Sequence, residues 1–157
     1  MAEYSANALQ TVNPGETVIF TETEVPCERG FVRNREGSGD FLLSGWVPNS
    51  RVCNCPCSNN NSAIYQTTFG ANIAVPTGET VGQISVAIAV NGTTIPSSTM
   101  IVTPAAVEEF FNVGVTKAVP IWRNCCQTVS IRNTSDIPIL VQNANITFSR
   151  PDLAVTY

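Results

Sequence analysis

Histidine is absent from this chain of 157 residues, and lysine occurs once, as Lys117. Without an imidazole there can be no Ser-His-Asp triad, no Cys-His pair and no histidine-bound zinc. Charge is scarce as well, at 13% of residues, about half the usual share. The net charge is -4, with seven Arg beside the single Lys. A phosphate-tracking surface needs clustered cations, so nucleic acid is disfavoured as a partner. No apolar run approaches the ~20 residues that a membrane-spanning helix requires, so no membrane span is expected. The N-terminal stretch Met1-Ala-Glu-Tyr-Ser-Ala-Asn-Ala8 lacks the basic and apolar regions of a secretory signal. The remainder is 43% hydrophobic. A chain of this length can bury roughly two-thirds of its unfolded surface, which excludes a disordered protein.

Helical periodicity is also missing. The one weak candidate is Ala105 to Phe111 (AAVEEFF). Elsewhere apolar residues recur every second position, the mark of strands with one buried face. From Ile64 to Val75, Tyr65, Thr67, Phe69, Ala71, Ile73 and Val75 share a side. Pro76-Thr-Gly-Glu79 reads as a tight turn. Ile84, Val86, Ile88 and Val90 then alternate with Ser85, Ala87 and Ala89. Those small residues imply that the second face is covered too, inside a sandwich or at a subunit contact. Asn91-Gly92 is a hairpin signal, since both residues accept the type I′ conformation. Further strands are expected at Thr17 to Thr21, Phe31 to Arg35, Phe41 to Trp46, Thr128 to Arg132, Ile137 to Val141 and Asn145 to Ser149. Pro138 confines its stretch to an edge or a strand start. Eight to ten short strands joined by turns define an all-β, antiparallel jelly-roll sandwich. Residues 1–157 form a single expected domain, with a Cys-rich loop at about 47–62.

That loop carries Cys53-Asn-Cys55-Pro-Cys57, while Cys27, Cys125 and Cys126 stand elsewhere. Thiolates from two segments can hold zinc, so Cys53, Cys55 and Cys57 are the candidate metal ligands. Zinc sites favour C-x2-C spacing, however, and Pro56 stiffens the alternating C-x-C found here. Disulfides, within or between chains, are the favoured reading for Cys27, Cys53, Cys55, Cys57, Cys125 and Cys126. Their connectivity is left open by the sequence. The carboxylates mostly flank turns, and no nucleophile-base pair, glycosidase pair or cofactor motif stands out. Asp40 and the Glu108-Glu109 pair lack the dense alternating acids of a calcium loop. Arg29, Arg33 and Arg35 read as one strand face, and Gly37-Ser-Gly39 as a hairpin tip rather than a phosphate loop. Trp46, Tyr65, Phe69, Ala87, Ala89 and Trp122 are the candidate packing or oligomer-interface residues. Trp46, Trp122, Tyr65 and Tyr157 are the aromatics able to stack on a sugar.

Taken in order, Tyr65-x-x-x-Phe69, Thr77-Gly78-Glu79, Ile84 to Val90, Asn91-Gly92, Val129 to Asn133 and Ala144-x-Ile146-x-Phe148 resemble the tumour-necrosis-factor/complement globular-head jelly roll. Within that group they are most similar to the C-terminal heads of bacterial collagen-like spore-surface glycoproteins. The chain departs from these in having no Gly-X-Y repeat and in carrying the Cys-rich insert. The resemblance implies a non-enzymatic homotrimer without cofactors, with aromatic and aliphatic residues at the three-fold axis. Oxidation-prone cysteines without a leader point to release by lysis, hence to a spore surface, a surface fibre or a phage particle. The same resemblance leaves room for filaments of trimers. A carbohydrate- or receptor-binding, lectin-like head is the alternative.

Overall fold

The computed structural model describes residues 1–27, 29–35, 37–47, 62–123 and 126–151. Among them lie twelve strands and one short 3-10 turn, Pro96–Ser98. The strands are β1 (Ala2–Ala6), β2 (Gln10–Val12), β3 (Glu22–Val25), β4 (Val32–Asn34), β5 (Phe41–Ser44) and β6 (Ser62–Ala74). They continue as β7 (Ile84–Val90), β8 (Thr93–Thr94), β9 (Met100–Val102), β10 (Phe111–Trp122), β11 (Cys126–Asn133) and β12 (Ile139–Ser149). One sheet runs β10-β6-β12-β1-β3, with β2 beside β12; the other runs β4-β5-β11-β7-β8, with β9 beside β7. All pairings between these strands are antiparallel. From β5 onward the long strands switch sheets at nearly every step, which is the order of a jelly roll.

The period-two pattern accounts for the core. Tyr65, Thr67, Phe69, Ala71 and Ile73 of β6 are buried against Ile84, Val86 and Ile88 of β7 and Val129 and Ile131 of β11. Phe41 joins the layers: its ring lies 4.8 Å from Tyr4, 5.3 Å from Phe20 and 5.1 Å from Phe148, all tilted. Such contacts add about 0.5–1.5 kcal/mol per pair beyond the area they bury. The turns behave as their chemistry dictates. Asn91 and Gly92 both have positive φ, at 50° and 82°, and Glu79 N donates to Pro76 O at 3.2 Å.

Three expectations need correction. Ala105 to Phe111 is not helical: Ala105 N and Ala106 N both donate to the Glu109 carboxylate, at 2.9 and 3.1 Å, and Glu108 takes φ 56°. A side chain thus closes a turn where a helix would have used backbone carbonyls. Thr17 to Thr21 forms one bridge, Thr17 to Arg132, instead of a strand. Gln10 replaces the missing neighbour, since its amide donates to Ile19 O and accepts from Ile19 N, both at 2.9 Å. The stretches Ile137 to Val141 and Asn145 to Ser149 are one strand, β12, carrying an irregularity between Gln142 and Asn145 where Asn143 has φ 53°. Unexpected strands at both ends of the first sheet, β1, β2, β3 and β10, raise the count above ten.

Candidate functional site

The register places many strand ends at one pole of the sandwich. Ala2 lies opposite Phe148, Glu3 opposite Val25, Ser62 opposite Trp122, and Cys126 opposite Ser44. Val47 and Ser62, which bound residues 48–61, therefore leave the fold at the same pole that carries Cys27 and Cys126. Cys27 is a half-buried free thiol, and Cys126 is exposed at the start of β11. Cys53, Cys55, Cys57 and Cys125 lie outside the described residues, as do Glu28, Glu36, Asp152 and Tyr157. Among the described residues no group of three or more His, Cys, Asp or Glu is placed to hold a metal ion.

Aromatic and cationic groups interleave at this pole. Phe31 and Trp46 stack at 5.5 Å with an interplanar angle of 15°. The Arg150 guanidinium, on a residue only 9% exposed, lies 5.5 Å from the Phe31 ring centre and 4.9 Å from that of Tyr65. Its Nη1 donates to Trp46 O at 3.1 Å. These distances fall in the cation-π range. Tyr65 Oη donates to Ser44 O at 2.6 Å. Beneath them a cavity of about 400 Å3 opens between Val25, Pro26, Cys27, Phe31 and Arg29. Burial of Tyr4 pushes its phenol above the ordinary 10.0, and the negative charge available to Cys27 pushes it further.

The expected packing residues divide in two. Tyr65, Phe69, Ala87 and Ala89 are fully buried within one chain, so hiding them requires no second copy. Tyr65 in particular is core, and cannot stack on a sugar. Trp46 and Trp122 stay in solvent, at 48% and 65% exposure. Along the outer side of β10, Ala118, Pro120 and Trp122 are exposed in a row. This segment has little strand character in the sequence, because Lys117 falls among the inward-alternating residues and Gly114 and Pro120 are poor strand formers. Asn133 is buried, and its Nδ2 donates to Val12 O and Ile137 O, both at 2.9 Å.

A second, shallower groove crosses the outer face of the first sheet. Ser5, Asn7, Glu24, Asn112 and Asn145 line it over Gly70. Ser5 Oγ donates to Glu24 Oε1 at 2.7 Å, and Asn112 Nδ2 donates to Asn72 Oδ1 at 3.1 Å. Gly70 keeps this floor low, for a Cβ there would stand 3.0 Å from Asn145 Oδ1.

No known protein family matches the chain by its sequence profile, and no curated protein matches it in sequence. Among solved structures it is similar to the globular domain of zebrafish complement 1qA. There the identity is 9% over 93% of this chain and 94% of that one, with a TM-score of 0.49. It also aligns with a Podospora anserina GH26-CBM35 β-(1,4)-mannanase, at 16% identity over 96% of this chain and TM-score 0.37. The third is the dimeric latent PorU of Porphyromonas gingivalis, at 10% identity over 96% and TM-score 0.41. This chain spans 28% of the mannanase and 13% of PorU. The order of the paired strands is that of an antiparallel jelly-roll sandwich, the fold expected from the sequence. The narrower resemblance to spore-surface heads has no counterpart among these structures. No described helix is long and apolar enough to cross a membrane.

Proposed function

We propose that the chain is a non-enzymatic structural head that trimerises with copies of itself on an extracellular surface, such as a spore, a fibre or a virion. The observation that carries this reading is β10. It is a twelve-residue strand at the open edge of its sheet, with Ala118, Pro120 and Trp122 bare to solvent. An edge of that length invites pairing or covering, and an exposed tryptophan beside small residues favours burial against another subunit. Disulfides among Cys27, Cys53, Cys55, Cys57, Cys125 and Cys126 then fasten the assembly, or brace each subunit, at the cysteine pole. Native mass measurement with and without reductant tests both parts. Three subunits per particle are expected, with covalent ladders on denaturing gels only when reductant is absent. A single-subunit mass at micromolar concentration would overturn the assembly.

The alternative, a glycan-binding head, draws on the outer groove, whose amides, hydroxyl and carboxylate are the groups that hydrogen-bond sugar hydroxyls. Saturable binding on a glycan array, weakened by Asn145→Ala, is its expected result. A flat array would remove it.

A further inference from the structure

Strand register turns the outer face of the first sheet into rows that cross the strands. Thr147, Thr68 and Thr116 lie opposite one another on β12, β6 and β10, and Gln142, Asn72 and Asn112 form a second row. Each row is joined within itself: Thr68 Oγ1 lies 3.1 Å from Thr116 Oγ1, and Asn112 Nδ2 donates to Asn72 Oδ1 at 3.1 Å. Between them runs a third row, Asn145, Gly70 and Gly114, with Ser5 at its β1 end. Its adjacent glycines leave a strip of bare backbone, walled by hydroxyls on one side and amides on the other. The walls stand ~13 Å apart along the backbone, and the strip crosses four strands over ~14 Å. A short oligosaccharide laid across the strands fits those dimensions. The strip opens into the shallow groove over Gly70, whose volume of about 660 Å3 is that of a small-molecule site. Asn145 leans over Gly70, its amide without a hydrogen-bond partner among the described residues. The groove is also lined by two carboxylates, Glu3 and Glu24, and by no cation among the described residues. Glu24 accepts from Ser5 Oγ, and neither acid has an ion-pair partner among the described residues. The lone Lys117 alternates inward on β10, and β1, β3, β6 and β12 carry no Lys or Arg. No aromatic ring lines the groove, so a neutral pyranose finds no stacking face. Selection there falls to hydrogen bonds and negative charge.

We infer that this groove binds a glycan bearing free amino groups, a de-N-acetylated hexosamine oligomer. Its ammonium pairs with Glu24 and Glu3, while its hydroxyls meet the amides of Asn145 and Asn112. The inference rests on the glycan-binding reading of this groove and adds the chemistry of the sugar.

The probes are a chitosan tetrasaccharide and its fully N-acetylated chitin counterpart, titrated by calorimetry into the whole chain. At about pH 6 the carboxylates are ionised and the sugar amines protonated. Saturable binding of the chitosan oligomer is expected, about tenfold tighter than that of the chitin oligomer, which lacks the charge-assisted hydrogen bond. Added salt should shrink this preference. Glu3→Gln together with Glu24→Gln, at positions outside the core, should abolish it and leave chitin binding unchanged. Asn145→Ala should weaken both oligomers. Equal affinities, a preference indifferent to salt, or one that survives the double substitution would overturn the inference and leave the glycan reading standing. Absence of binding by both oligomers would overturn the inference too, and a flat glycan array beside it would remove the broader reading as well.

Discussion

At the scale of single residues, small polar groups decide as much as large apolar ones. Ser98 is fully buried beside β7; its Oγ accepts from Ile88 N at 2.9 Å and donates to Ile95 O at 2.6 Å. Nothing else in the 3-10 turn replaces that double role. Ser98→Ala leaves the Ile88 N–H buried without its acceptor, so denaturant unfolding should show a loss of about 1–3 kcal/mol. Tyr4 gives a second test, one of pH. Its phenol is raised by burial first and by Cys27 second. The folded chain therefore keeps a proton that the unfolded chain releases near 10.0. That stabilisation is whole below this pH and is lost as pH climbs through the folded value. Between roughly pH 9 and 11 the melting temperature of Tyr4→Phe should fall less than that of the parent. An identical fall in both proteins would discount Tyr4 as a source of alkaline instability.

Among the elements, legibility followed where the pattern was self-sufficient. The strand β6 could be read from Tyr65, Phe69 and Ile73 because its two faces differ in polarity all along its length. Its partner β10 could not. Gly114 and Pro120 are poor strand formers, and Lys117 falls on the inward-alternating side. That strand exists because β6 offers it twelve consecutive partners, Ser62 to Ile73, a tertiary cause invisible in local sequence. Cys27 and Cys126 can be picked out in the sequence, but their placement at one pole depends on registers such as Cys126 opposite Ser44. The aromatic stack of Trp46, Phe31 and Arg150 joins residues more than a hundred positions apart, so no motif announced it. The irregularity in β12 makes a prediction at this scale. Asn143 sits in the left-handed region at φ 53°, where a Cβ without a local hydrogen-bonding group costs about 1 kcal/mol. Asn143→Ala should lose about that much in chemical denaturation, whereas Asn143→Gly should hold or gain stability.

For the whole molecule, the open sheet edges are unequal in length. On the second sheet the edge strands β4, β8 and β9 are only two or three residues long, a length that gives little template for pairing. On the first sheet β10 has twelve residues. Self-association is accordingly expected through that side. Trp122→Glu places a charge in the bare row, and particle mass by light scattering should drop to one subunit while circular dichroism stays that of a β protein. If the substituted protein kept the parent's multimeric mass, the β10 edge would not be the contact.

Strand β12 is the one that unites the first sheet. Its neighbours are β6 on one side and β1 and β2 on the other. Until β12 leaves the ribosome, β10-β6 and β1-β3 are separate ribbons with no hydrogen-bonded link. A nascent chain halted anywhere before Ile139 is thus left with uncovered greasy ribbons, and chaperones that shield such surfaces during translation should engage it until β12 has emerged.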